Sequence, residues 1–322
     1  MQRFHNILVL FDRATGSREA LDRAAALAAR NGARLGLLVC LTEFDRADTR
    51  GKLQEIVIRG LRGHFNTLVE PLRDRGIAVC VEVGVGRPFV EAIRMALRHD
   101  YDLLVKTAES AGRHGFRFGS TDLHLLRKCP RPVWLFRKRP EPAAGGVLAA
   151  ISPAPPGSGG EALNIRILEL AAALARQHRQ PLHVAQGWAP PDPMLLRWLG
   201  WRGELAGGLA GELAGGWQEL ERQREQAAAR FNAVVDRIVS QEIGQEIGQE
   251  IAVHRHFVDG IAADVLARLV EANAIDVIVM ATLTRTGVPG LLIGETAEDV
   301  LRRIDCSVLA VKPDGFVSPV AA

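Results

Sequence analysis

Aliphatic and β-branched residues in this chain gather in short runs, and the stretches between them carry apolar residues three and four positions apart. The runs predict strands and the spaced stretches predict helices with one apolar side. One block is compact enough to read as a unit: Asp276-Val-Ile-Val-Met, a glycine-bearing loop from Ala281 to Ile293, a helix opening at Gly294-Glu295-Thr296, and a strand from Cys306 to Val311. Two apolar strands around an amphipathic helix form a parallel βαβ unit. Its first loop and the first helical turn then lie at the carboxyl end of the sheet, where backbone N–H groups point at whatever is bound.

The block occurs twice. Asp102-Leu-Leu-Val-Lys, a loop, Gly119-Ser120-Thr121, a helix to about Arg127 and the strand Val133-Trp134-Leu135-Phe136 repeat its order about 175 residues upstream. The starts repeat as well: Ile7-Leu-Val-Leu-Phe before a helix from about Ser17 is answered by Val147-Leu-Ala-Ala-Ile before a helix from about Glu161. In the first half the pattern predicts strands near 5–11, 34–40, 77–83, 102–106 and 132–137, and helices near 17–31, 51–75, 87–99 and 119–128. Ala20, Leu21, Ala24, Leu27 and Ala28 form one apolar face behind Ser17 as N-cap, and Pro88 suits a helix start, where a missing N–H costs nothing. Alternating strands and helices require crossovers, hence open parallel α/β sheets with helices on both faces.

Two domains follow, 1–139 and 146–314, with a tail at 315–322. The linker from Lys138 to Gly145 contains Pro140 and Pro142, a stiff composition that permits the two last strands to pair and cover each other's edges. The second domain is longer, with an excursion over about 188–250. It contains Gly203-Glu-Leu-Ala-Gly-Gly and its copy from Gly211, Gln241-Glu-Ile-Gly and its copy from Gln245, and a helix-spaced set from Trp217 through Phe231 and Val235 to Ile238. Trp188, Trp198 and Trp201 precede the helix; they suit either a lid over a ligand or packing beneath it.

Composition narrows the class. With 322 residues, 48% hydrophobic and 24% charged, the chain has material for two ordinary globular cores, and no apolar run approaches the roughly 20 residues of a membrane helix. The first strand begins too early for a secretory signal, so the expected location is the cytoplasm and no membrane partner is expected. A formal net charge of +3 is too small to imply nucleic acid. The dense basic cluster is Arg127, Lys128, Arg131, Arg137, Lys138 and Arg139, in positions that suit helix-dipole compensation better than an anionic partner. Cys40, Cys80, Cys129 and Cys306 lack metal or redox spacing and read as buried thiols.

The second block, from Asp276-Val-Ile-Val-Met-Ala through Thr286-Gly-Val-Pro-Gly-Leu-Leu-Ile-Gly-Glu-Thr-Ala-Glu to Cys306-Ser-Val-Leu-Ala-Val-Lys-Pro, resembles the universal stress protein family. With Leu125-Leu-Arg-Lys-Cys-Pro in the first half, the chain is similar to the tandem, two-domain type over nearly all of residues 3–313. That resemblance implies two tandem open five-stranded sheets of the adenine-nucleotide α-hydrolase-like fold, strand order 3-2-1-4-5, in a pseudo-two-fold pair. It leaves a further homodimer open.

The resemblance also directs attention to phosphate loops. Neither GxxxxGK[ST] nor a strand-following GxGxxG is present. ATP-binding members of the family carry G-x2-G-x9-G-[ST]. In the second copy this register falls on Ala281, Thr284, Gly294 and Glu295, so only Gly294 fits, and Glu295 would set a carboxylate against phosphate. In the first copy the final pair, Gly119-Ser120, is kept; counting back from it gives Lys106 and Glu109, counting forward from Asp102 gives Thr107 and Ser110, and neither register supplies the two glycines. Asp12 matches the family aspartate that contacts the nucleoside, Ser152 takes its place in the second copy, and Cys40 would line the base side. Expected binding residues are therefore Asp12, Cys40, Gly119, Ser120, Thr284 and Gly294. His254 and His256 share one face of a strand beside that of His183; partly exposed histidines are the better reading than a metal site, because no carboxylate or cysteine adjoins them. No G-x-S-x-G elbow supports nucleophilic catalysis, and no catalytic residues are assigned.

Three readings result. The first is a non-enzymatic tandem stress-response protein with degenerate ATP motifs that binds a protein or small-molecule partner through Thr284–Glu295 and the tryptophan-rich excursion. The second is an ATP or adenine-nucleotide sensor, or weak ATPase, using the first domain. The third is a binder of an apolar or lipid-like ligand in the second domain.

Overall fold

The computed structural model of the chain describes residues 4–11, 18–41, 50–109, 118–137, 145–189, 210–240, 251–282 and 293–320. Ten strands among them are β1 (Asn6–Phe11), β2 (Arg34–Leu41), β3 (Val79–Val85), β4 (Leu103–Thr107), β5 (Val133–Phe136), β6 (Val147–Ala150), β7 (Leu182–Trp188), β8 (Val253–Asp259), β9 (Val277–Ala281) and β10 (Ser307–Val311). The helices are α1 (Arg18–Asn31), α2 (Arg50–Asp74), α3 (Pro88–Arg98), α4 (Ser120–Lys128), α5 (Gly159–His178), α6 (Ala210–Ile238), α7 (Ala262–Ala272) and α8 (Glu295–Arg303). These bounds fall within two residues of those expected across the first half. Linker residues 138–144 and the first Gly-Glu-Leu-Ala-Gly-Gly copy lie outside the described residues; the second copy lies in α6.

The chain divides into two compact units, Met1–Pro142 with Met280–Ala322, and Ala143–Val279. In the first unit the strand order is β3-β2-β1-β4-β5-β10, with the end of β9 beside β10. β1 through β5 run parallel, and β10 pairs antiparallel with β5 through Val308↔Leu135, Leu309↔Trp134 and Ala310↔Val133. The last strands of the two repeats therefore cover each other's edges. In the second unit the order is β9-β6-β7-β8. Each repeat thus follows the expected 3-2-1-4-5 sequence.

Why the elements hold can be read locally. The apolar face of α1 is buried through Ala20, Leu21, Ala24, Ala25, Leu27 and Ala28. Pro88 opens α3, and the Ser158 side chain caps α5 by accepting from the Glu161 N–H. α3 and α7 are followed by the same tight turn, with Asp100 and Ala274 in left-handed backbone at φ 51° and 49°. Phe231, Val235 and Ile238 bury the inner side of α6, while Arg224 and Asp236 on the same helix pair with Asp259 and Arg255 of β8. Among the described residues no helix is long and apolar enough to cross a membrane.

The basic cluster serves this framework. Arg127 pairs with Glu298 at 3.4 Å, Arg131 with Asp100 at 2.5 Å and Arg137 with Asp305 at 3.3 Å. The cysteines divide: Cys129 and Cys306 are buried, Cys40 is half-buried, and Cys80, expected to be buried, is exposed at the start of the terminal strand β3.

Candidate functional site

The carboxyl end of the first repeat's sheet is where strand β4 hands over to α4. Lys106 projects from β4 into the interior and is 1% exposed. A buried ammonium demands compensation, and three groups among the described residues contribute to it. Its Nζ lies 2.8 Å from Asp122 Oδ1 and 3.3 Å from Glu109 Oε1, and donates to the Thr107 carbonyl at 2.9 Å. Asp122, fully buried on the first turn of α4, accepts with Oδ2 from the Glu109 N–H at 2.7 Å and the Gly119 N–H at 3.1 Å. Burial pushes the Asp122 carboxyl up, against Lys106 and the backbone donors that pull it down.

Glu109 closes the arrangement. A Cβ added to Gly119 would overlap the Glu109 carboxylate and its Cβ, so glycine here admits Glu109's own side chain onto the helix start. The Gly119 N–H, which in a phosphate loop would face a ligand, is held within the chain. Two of the three positions where the family register calls for glycine thus carry the side chains that fill the cradle.

The expected binding residues fall as follows. Gly119 is the N-cap of α4, and Ser120, exposed, is its first residue. Gly294 is the N-cap of α8, and its N–H donates to the Thr282 carbonyl at 3.2 Å. Cys40 lies near the end of β2, where burial and then nearby Glu91 push its thiol up to about 12, so it remains protonated at neutral pH. Asp12 and Thr284 lie outside the described residues, as do Trp198, Trp201 and most of the loop from Ala281 to Ile293.

At the corresponding end of the second repeat, the described residues beside β6 are packed together. Asn164 of α5 clasps the chain at Ser152, its Oδ1 accepting from the Ser152 N–H at 3.2 Å and its Nδ2 donating to the Ser152 carbonyl at 2.7 Å. Ala227, Arg230, Phe231 and Val234 of α6 lie over this clasp, leaving a hollow of about 50 Å³. Small-molecule sites occupy roughly 300–1,000 Å³. Sequence reasoning placed Ser152 at this end but had no signal for Asn164 as the group that fills it.

Comparison with known proteins places these features. The model of the universal stress protein family matches residues 3–137 and again 158–312. The chain belongs to the universal stress protein family. It is a tandem protein of the universal stress protein E type: universal stress protein E of Escherichia coli K12 is 27% identical over 330 residues, spanning 99% of this chain and 98% of that protein. Universal stress protein E of Photorhabdus laumondii is 24% identical over 333 residues, with 100% and 99% covered. Among solved structures, a functionally unknown protein of Pseudomonas aeruginosa PAO1 superposes with a TM-score of 0.66 at 25% identity, covering 98% of this chain and 95% of that one. A universal stress protein of Archaeoglobus fulgidus shares the fold at TM-score 0.58 and 19% identity, covering 95% and 98%.

Three of the four histidines of this stress protein's second unit, His183, His254 and His256, form a stack rather than an exposed set. His183 Nδ1 and His256 Nε2 are 3.0 Å apart, the His183 and His254 rings stack at 4.7 Å, and His183 is 5% exposed. The expectation of partly exposed histidines holds for the edge strand β8 and fails for His183. That residue sits one strand further in, where its neighbours cover it.

Proposed function

We propose that this tandem universal stress protein acts by binding, as a regulatory component of a stress response, and does not turn over nucleotide. The observation that carries this reading is the Lys106–Asp122–Glu109 network, which fills the first repeat's phosphate cradle with the chain's own side chains. A triphosphate entering there would displace Glu109 from beside Gly119, break the Gly119 N–H bond to Asp122 and meet a carboxylate pair shared by one lysine. The second repeat supports the same reading by volume, since the hollow beside Ser152 has room for little more than water. Binding to a protein or small-molecule partner is then the activity left to the scaffold.

The test uses the full chain. Calorimetry with ATP and magnesium is expected to give no saturable heat for the natural protein. The triple variant Lys106→Gly/Glu109→Gly/Asp122→Asn restores the glycine spacing without leaving a buried carboxylate unpaired, and it should acquire measurable ATP affinity. Circular dichroism reports whether it stays folded. Saturable binding with specific hydrolysis of ATP by the natural protein would overturn the reading in favour of a nucleotide sensor or weak ATPase.

A further inference from the structure

A cleft of about 700 Å³ opens at the other end of the first repeat's sheet, beyond the amino ends of β1, β2 and β3. Its volume is that of a small-molecule site, and its chemistry is one-sided. Arg34, Arg73 and His99 line it, and no aspartate or glutamate does among the described residues. We infer that this cleft is a binding site for a small organic anion, one carrying a phosphate or paired carboxylates beside an apolar body.

The argument rests on where the neighbouring carboxylates are committed. Asp100 pairs with Arg131 at 2.5 Å, and Glu82 pairs with Arg62 at 3.3 Å. Asp102 accepts from the backbone N–H groups of His5 at 2.6 Å and Asn6 at 3.1 Å. Asp100 and Glu82 are thus each matched by a guanidinium, Asp102 is turned onto backbone N–H groups, and none of the three lines the cleft. Arg73 is instead anchored on neutral acceptors: its Nε and Nη2 donate to the Val79 carbonyl at 3.2 and 3.0 Å, and Nη2 also donates to Asn66 Oδ1 at 2.7 Å. These bonds hold the guanidinium in one orientation and leave Nη1 for a ligand. Arg34, exposed at the first position of β2, has no ion-pair partner among the described residues. Two arginines arranged in this way suit planar or tetrahedral oxyanions.

The rest of the lining provides shape. Leu35, Ile77 and Val79 contribute an aliphatic wall. Tyr101 lies across Gly36, where a Cβ would overlap its ring and hydroxyl, and its hydroxyl is 3.4 Å from the Cys80 sulfur. The floor is therefore a buried aromatic held flat by a glycine, with an exposed thiol beside it. At the same strand positions in the second repeat stand His183 and His254, stacked on each other.

This inference goes beyond the proposed function and is independent of the triphosphate cradle. Its test titrates the full chain with pyrophosphate and, separately, citrate at constant ionic strength, read by calorimetry. Alkylation of Cys80 by iodoacetamide, followed by peptide mass spectrometry, reports occupancy of the cleft. At least one anion is expected to bind saturably and to slow Cys80 alkylation. Arg34→Gln, on an exposed side chain, is expected to weaken that binding by about tenfold or more with an unchanged melting temperature. Pyrophosphate alone identifies a phosphate ligand, citrate alone a polycarboxylate, and both a site for either. Saturable binding of neither anion, or equal affinity in the natural protein and Arg34→Gln, would overturn the inference.

Discussion

Each repeat fills the carboxyl end of its own strands by different physics, as far as the described residues show. In the first, Lys106, Asp122 and Glu109 occupy the space above α4 with a buried charge network. In the second, Asn164 and the side chains of α6 occupy it with volume and two neutral hydrogen bonds. At the opposite end the contrast reverses. The first repeat is open over Gly36 and Tyr101, and the second is filled by stacked imidazoles. The space above a repeated strand–helix junction can thus be filled by two routes, and only the charged route leaves a large penalty if one member is removed.

That difference can be broken experimentally. The largest effect is expected from Lys106→Met, which leaves Asp122 buried without its cation and should cost about 3–5 kcal/mol in urea unfolding. The double variant Lys106→Met/Asp122→Leu should recover most of that loss, because an apolar pair of similar volume removes the unpaired charge; no recovery would mean the network does more than balance itself. Next in size is acid sensitivity confined to the second repeat's histidines. Burial, with His254 and His256 adding to it, holds His183 down at about 4, below its ordinary 6.5, and His256 is lowered in the same sense. The unfolded chain therefore takes up protons first as pH falls. Stability from this stack should be complete above pH 6.5 and be lost between 6.5 and 4, on the order of 2 kcal/mol. His183→Phe should flatten the melting-temperature profile over that interval, and an unchanged slope would exclude the stack as its source. The smallest effect is expected from Asn164→Leu, which removes the clasp on Ser152 and should cost about 1–2 kcal/mol. A cost as large as that of Lys106→Met would contradict the division into charge and packing.

Much of this molecule was legible in advance. Short apolar runs and period-3.6 spacing located the elements of the first half to within two residues, because runs such as Leu103-Leu-Val are buried on both faces and the α1 set on one. The departures from the glycine register were legible too, at Lys106 and Glu109. Their consequence was not, since a residue in place of glycine reads as a loss until its side chain is located. Asp122 carried no signal at all: it reads as an ordinary first-turn acid until Lys106 is found beneath it.

Taken alone, the sequence determined the repeat, the alternation of strand and helix, and the phosphate-loop positions that had changed type, since these depend on spacing along the chain. Only the tertiary structure decided that Lys106 and Glu109 converge on Asp122, that Asn164 and α6 pack beside Ser152, and that Arg34 and Arg73 line one cleft with no carboxylate among its described residues. Those are encounters between residues far apart in the chain, and their energies depend on burial and distance, which spacing does not encode.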